Sequence, residues 1–449
     1  MTAAYLLSLT VLSILLLLLL IIYYRMQAFI ALLVVSLLVA VAGGIPVGEI
    51  IDTIQEGMGS ILGYIAVVVG IGTMVGEILL VSGGAKQIAG TLLSRSGEKR
   101  APQALALIGF IVAIPVFFEV ALILFIPLVY DLTRRTGKSL LYYGIPLAAG
   151  IAVAHAFIPP TPGPVAVASL LGADLGWVIF VGIIAGVPSA LAGGVIWGRY
   201  ISGKIHLSVP PNVENKTDDY PSDQLRNPGF GISIAIIIIP LFLILLNTAS
   251  GLLFEETHLF AVWMSFIGHP FTALLISCLI AFRYLGTRLG FTREQVQEIA
   301  TNSMRPVGMI ILLTGAGGVF GRVLVAAGVG EVLLDVMAAS NLPVVLFAFL
   351  LAAVIRVAQG SATVSMVTTA GLIAPLIEAG SYSPAVVACV TIAIACGGTV
   401  LSHFNDSGFW LLKEYFGMTE KQTLASWTVM ETIIGVTGVT VVLLLSFFL

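Results

Sequence analysis

GIGTMVGEILLVSG at 70–83 and GAGGVFGRVLVAAG at 315–328 carry glycine at the same steps of two apolar segments. Gly70, Gly72, Gly76, Leu79 and Gly83 align with Gly315, Gly317, Gly321, Leu324 and Gly328. At an offset of 241 the relation continues: Pro102 falls on Pro343, and GIAVA at 150–154 falls on TIAIA at 391–395. A duplicated membrane unit is the sequence mark of a secondary transporter, whose substrate site lies between the repeats. The duplication points to transport before any motif is read.

Composition agrees. Apolar residues make up 59% of the 449, charged residues 10%, and the mean hydropathy is +1.09. A soluble fold cannot cover that much apolar surface, so lipid must. The run 5–24 has no basic residue ahead of it and no small-residue cleavage site behind it, so a retained span is expected rather than a signal peptide. Cys278, Cys389 and Cys396 lie in apolar runs without metal-ligand spacing, which implies neither a disulfide nor a metal. GAGGVFG has the look of a dinucleotide fingerprint, but no strand precedes it. Small-residue helix packing accounts for it better, so no cofactor is implied. HExxH and GxSxG are absent and no nucleophile–base pair stands out, so no enzyme is expected. A net charge of −3 gives no reason to expect a nucleic-acid partner.

The distribution of charge sets the topology. Of 20 basic residues, all but Arg322 and Arg356 fall at 25, 86–100, 134–138, 199–226, 283–305 and 413–421. The polar segments between are acidic: Glu49, Asp52 and Glu56; Glu255 and Glu256; Glu331 and Asp335; Glu378. Basic loops face the cytoplasm, which puts both termini in the periplasm. The apolar stretch 102–130 has basic loops at both ends and is expected to re-enter as a hairpin. Its counterpart 343–372 lies between acidic loops and is expected to re-enter from the opposite face. Irregular backbone at membrane depth is tolerated only where protein or a cavity surrounds it, so opposed hairpins predict a central site.

The predicted fold is an all-α polytopic membrane protein of two inverted-topology repeats, 1–198 and 229–449, joined by a cytoplasmic linker at 199–228. Spans are expected at 5–24, 26–44, 61–81, 140–172 and 175–198, then at 229–248, 259–282, 306–327, 385–413 and 424–448. Two of them, 140–172 and 385–413, exceed the ~20 residues that cross a bilayer and are broken inside. HAFIPPTPGP at 155–164 cannot continue a helix, because proline removes donors and clashes with the preceding turn. GGTVLSHFNDSG at 397–408 is rich in groups that compete with helical hydrogen bonding. Broken helices expose backbone donors and acceptors, and half-helix N-termini attract anions. Packing kinks are the plainer reading of these breaks.

The hairpins add side chains: Glu119 in the first, and Arg356, Gln359, Ser361, Thr363 and Ser365 in the second. An ionised group at the bilayer centre costs roughly 2.5–3.5 kcal/mol on insertion scales, so it usually has a partner or a task. Arg356 offers a forked donor suited to a carboxylate. It could equally pair with Glu119 or Asp406 merely to hold the hairpin. Glu119 or Asp406 is the candidate proton carrier, Asp406 the better placed because it lies in a break; His155 and His403 are alternatives. Thr161, Gln359, Ser361, Thr363, Asn405 and Ser407 are candidate partners for substrate hydroxyls, and His155 and His403 are kept with the substrate site. Glu77 and Arg322 occupy equivalent repeat positions and are read as a structural pair outside it.

AHAFIPPTPGPVAVA at 154–168, QGSATVSMVTTAGL at 359–372 and GTVLSHFNDSGFWLLKEY at 398–415 resemble the gluconate permease family of bacterial gluconate/proton symporters. The resemblance runs over essentially the whole chain. It implies an inner-membrane carrier of gluconate, idonate, fructuronate, D-serine or a similar small carboxylate, driven by the proton gradient. It also implies kinship with the ion transporter superfamily, whose hairpins and broken helices form a mobile domain and whose scaffold domains commonly dimerise. A homodimer moving its site by an elevator-like motion is the resulting expectation. A sodium-coupled carrier is the rival, since carbonyls at half-helix C-termini can ligate sodium.

Overall fold

The computed structural model describes residues 2–210, 228–255, 257–305, 307–340 and 342–449, and among them it is helical with no strand. The first part of the chain forms α1 (Ala3–Leu18), α2 (Ala28–Ala42), α3 (Val47–Val81), α4 (Gly84–Ser96), α5 (Ala101–Val112) and α6 (Phe118–Thr136). It continues as α7 (Leu140–Phe157), α8 (Pro162–Leu171), α9 (Leu175–Ser189) and α10 (Trp197–Lys204). The second part forms α11 (Phe230–Leu253), α12 (Leu259–Ile267), α13 (Pro270–Ala281), α14 (Arg293–Ser303), α15 (Val307–Ala326) and α16 (Val329–Ser340). After these come α17 (Val344–Gln359), α18 (Ala362–Ala379), α19 (Pro384–Thr399), α20 (Ser407–Phe416), α21 (Glu420–Thr423) and α22 (Val429–Ser446). Of the described residues, nine helical stretches are long and apolar enough to cross a membrane. Of the predicted linker 199–228, residues 211–227 lie outside the described residues, and α10 occupies its start.

The second glycine segment crosses α3 at residues 57–62, while Gly72 and Gly76 of the first face Pro160 and Pro115. A Cβ at Gly57 would come within 2.8 Å of Val319 Cα, and one at Gly318 within 2.5 Å of the Gly57 carbonyl oxygen. Gly83 and Gly328, the last glycines of the two matching motifs, both adopt left-handed φ, +79° and +76°. They close one helix and turn the chain into the next, a conformation that penalises a Cβ. Beside this pair, α5 packs on α7 and α17 on α19; α6 touches α20 and α18 touches α8.

Helix boundaries depart from the expectation at several places: Glu331 and Asp335 lie in α16 and Glu378 in α18, and three further departures stand out. Glu49, Asp52 and Glu56, expected in a loop, belong to α3, whose 35 residues begin at Val47 after Pro46. Glu49 lies in the first turn, where an acidic side chain favours the helix through its dipole, and the helix runs on through Asp52 and Glu56. The segment 259–282 is two helices, α12 and α13, because Gly268 and His269 break the run and Pro270 starts a new helix at its first position. The segment 26–44 holds a helix of only 15 residues, α2.

The longer α3 also changes a pairing. Arg322 meets Glu56 at 3.2 Å, not Glu77. Glu56 adjoins Gly57, the point of closest approach to α15, whereas Gly76 faces the turn after α5. Both partners are substantially exposed, so the pair contributes at most about 1 kcal/mol.

The turn after α5, at 113–117, rests on α3: a Cβ at Gly76 would lie 1.9 Å from the Pro115 carbonyl oxygen, whereas one at Gly70 would meet nothing within 4 Å. Gly76→Ala is therefore expected to lower the thermal midpoint of the detergent-solubilised protein. Gly70→Ala, gaining about 1 kcal/mol of helix propensity, is expected to leave it unchanged or raise it. Equal effects at the two positions would contradict this packing.

Candidate substrate site

α17 reaches its C-terminus at Arg356–Gln359 and stops because Gly360 takes φ +86°, its N–H donating to the Arg356 carbonyl. Ser361 then caps α18, its hydroxyl accepting from the Val364 N–H. A second interruption faces this turn. α19 ends at Thr399, residues 400–406 leave the helix, and Asp406 caps α20 by accepting from the Gly408 N–H at 3.2 Å. The two interruptions fit against each other. A Cβ at Gly360 would lie 2.2 Å from the Asn405 carbonyl oxygen. Asn405 Nδ2 donates to the Val357 carbonyl at 3.0 Å, and His403 Nε2 lies 3.1 Å from the same oxygen.

An ion pair joins them. Arg356 Nη2 donates to Asp406 Oδ2 at 2.5 Å, with the two side chains 3% and 13% exposed. Ser402 Oγ donates to the same carboxylate oxygen. Trp427 Nε1 donates to Ser402 Oγ at 2.6 Å, and Thr428 Oγ1 donates to the Ser402 carbonyl. Leu401, a non-glycine residue at φ +52°, donates its N–H to Thr432 Oγ1 at 3.3 Å. A conformation of that kind costs on the order of 1–3 kcal/mol and persists only where its surroundings over-determine it. Here the ion pair and the anchors at Trp427, Thr428 and Thr432 do so.

Arg356 keeps unused capacity: its Nε and Nη1 are buried and have no hydrogen-bond partner among the described residues. Arg356 lines a cavity of about 340 Å³. Phe118 and Glu119 of α6 form one wall and His155 of α7 another. The second hairpin contributes Ser361 and Thr363, and the second break contributes Asn405, Asp406 and Ser407. Trp427 and Glu431 complete it. One cation with free donors, ringed by hydroxyls and an amide, suits an anionic ligand that also carries hydroxyl groups.

Eight of the residues singled out from the sequence meet at this cavity: Glu119, His155, Arg356, Ser361, Thr363, Asn405, Asp406 and Ser407. Arg356 has Asp406 as its partner, while Glu119, also a lining residue, is exposed. Thr161, Gln359 and His403 are not among the lining residues. Thr161 is buried and donates to the Ile158 carbonyl at 2.6 Å beside a much smaller space, of about 10 Å³, next to Gly72 and Pro160. Gln359 is half-buried with both amide atoms unpartnered. Sequence reading passed over Ser402, Trp427 and Glu431. Glu431 carried a usable signal, as the one charged residue in the apolar run 424–448.

Removing one member of a buried ion pair leaves the other charge uncompensated and costs roughly 3–5 kcal/mol. Arg356→Ala is accordingly expected to lower the thermal midpoint more than the double variant Arg356→Ala/Asp406→Ala does. A double-mutant cycle on the two residues that returns no coupling would contradict the pair.

Comparison with known proteins adds the following. A family model described as GntP family permease matches residues 5–448. The chain is 42% identical to the low-affinity gluconate transporter of Escherichia coli (strain K12), over 98% of this chain and 97% of that protein. It is 40% identical to a gluconate permease of Pseudomonas aeruginosa, over 99% and 98%. These relatives are transporters and permeases, not enzymes. In fold it is similar to MtrF of Neisseria gonorrhoeae, described as one of a class of antimetabolite efflux pumps, with a TM-score of 0.63 at 12% identity over 92% of this chain and 93% of that one. The YdaH transporter of Alcanivorax borkumensis, described as having an unusual topology, gives a TM-score of 0.60 at 13% identity over 90% of both chains.

Proposed function

This chain belongs to the GntP permease family, and on that footing we propose that it imports gluconate, or a related small sugar acid, across the bacterial inner membrane together with protons. The observation that carries the reading is Arg356, buried beside a polar cavity with two donors still free. Nε and Nη1 would take the substrate carboxylate, a charge-assisted contact of the kind a guanidinium fork makes well. Ser361, Thr363, Asn405 and Ser407 would exchange hydrogen bonds with its hydroxyls, and His155 stands close enough to take part. Thr161, Gln359 and His403 stand outside the cavity and receive no contact in this reading. The proton would travel on a carboxyl group of the same cavity, of which Asp406 and Glu119 are two.

The mechanism belongs to the same proposal. Residues 1–198 and 229–449 would be inverted repeats. The hairpins 102–130 and 343–372 and the broken helices 140–172 and 385–413 would move as one unit against the remaining spans, in the elevator manner. The scaffold would be the surface of a homodimer, with both termini periplasmic. The close fit of Gly360 against Asn405 supports joint motion of the second hairpin with the second break, since neither can shift alone without losing that contact and the ion pair.

The test is uptake of labelled gluconate into proteoliposomes of the purified protein. Accumulation is expected under an imposed proton gradient, with collapse on adding a protonophore, and unlabelled idonate and D-serine as competitors rank the substrate. Uptake that follows a sodium gradient and ignores protons would overturn the coupling. Arg356→Lys, which keeps the charge and loses the fork, is expected to cut uptake by about tenfold or more, the value of a charge-assisted hydrogen bond. Uptake at the wild-type rate would remove Arg356 from the substrate contact.

A further inference from the structure

We infer that Glu431 of α22 is the group that carries the coupled proton; this rests on the proposed symport and deepens it. Glu431 is 4% exposed, yet it lines the same cavity as Arg356 and Asp406. Its Oε1 has no hydrogen-bond partner, and no ion pair reaches its carboxyl among the described residues. A carboxylate is costly to bury without a donor or a counter-charge, and an ionisable group kept at membrane depth against that cost points to function.

The other two carboxyl groups are placed differently. Asp406 is already committed: it accepts from Arg356, Ser402 and the Gly408 N–H, and it caps α20. Replacing it dismantles the junction between hairpin and break. Glu119 is exposed. Glu431 lines the cavity, and its Oε1 has no hydrogen-bond partner among the described residues.

The charges around Glu431 link it to substrate. Arg356 from α17 and Asp406 from the break are the charged groups that act on it. His155 of α7 and Glu119 of α6 stand on other walls and interact with each other. α19 carries the thiols of Cys389 and Cys396, and the Cys396 thiol lies against Gly438, about two turns along α22. The α9 helix and the π-helical turn Ala190–Ile196, which also pack on α22, carry no titratable side chain. When an anionic substrate arrives at Arg356, one cation faces three carboxylates: Asp406, Glu431 and the ligand's own. A proton on Glu431 neutralises one of them. Substrate binding and proton binding then assist each other, and linkage makes that assistance reciprocal. The proton enters with the substrate on one side and leaves with it on the other.

The experiment uses the full-length protein in proteoliposomes and compares gradient-driven accumulation with gluconate–gluconate exchange at equal pH on both sides. For Glu431→Gln, accumulation is expected to fall at least tenfold further than exchange. Glu431→Asp is expected to restore accumulation, with its pH profile displaced from wild type. Accumulation by Glu431→Gln at the wild-type level overturns the assignment. If Glu431→Gln does not fold, Glu431→Asp decides alone, and a pH profile superposing on wild type overturns the assignment equally. Wild-type uptake that ignores the proton gradient would instead bring down the symport reading, an outcome separate from either variant's behaviour.

Discussion

The Arg356–Asp406 ion pair is the constraint on which the site depends. Taking two charges out of water is expensive, and their attraction offsets the cost only when the remaining donors and acceptors are also satisfied. Asp406 meets that condition, with Arg356, Ser402 and a backbone amide around it. Arg356 does not, because two of its donor atoms have no partner among the described residues. The pair is thus complete on the acidic side and incomplete on the basic side, and a second carboxylate is the natural partner for what is left over. The same pair fixes the C-terminal end of α17 to the start of α20.

The two broken helices have become chemically different. In the first, prolines at 159, 160, 162 and 164 enforce the break, and the Thr161 hydroxyl turns back onto the Ile158 carbonyl. In the second, Ser402, Asn405 and Asp406 interrupt the helix with polar groups that have partners on α17 or on the π-helical turn before α22 (Leu424–Thr428). Proline breaks a helix by geometry and leaves little to bind with. Asn, Ser and Asp break it by offering side-chain hydrogen bonds that a ligand can share. The cavity is lined by residues of the second break, Asn405, Asp406 and Ser407 among them.

Much of this was legible in the residues. Proline and glycine clusters mark broken helices because their backbone limits are intrinsic, and 158–161 and 400–406 are interrupted as 155–164 and 397–408 suggested. Arg356 and Asp406 stood out as charges in apolar surroundings. What escaped depended on packing at a distance. Glu49 to Glu56 read as a polar loop, yet they continue a helix, since a sequence does not say how far a helix projects beyond lipid. The Arg322 partner followed from that error, because the site of the α3–α15 crossing decides which acid is near. Trp427 and Ser402 have ordinary surroundings in sequence and matter only because α22 passes the second break. Thr161 belonged to a break as predicted, but the fold buries it against its own turn.

The account's central claim is that a buried arginine with free donors selects the ligand by its carboxylate. It is tested most directly by the thermal stabilisation that ligands confer on the purified protein, comparing gluconate with gluconamide, which keeps the hydroxyls and removes the charge. A ligand that binds only the folded state stabilises it in proportion to its affinity. Stabilisation by gluconate with little or none by gluconamide is the predicted result. Equal stabilisation by the two would contradict it and leave the hydroxyl groups as the only feature recognised.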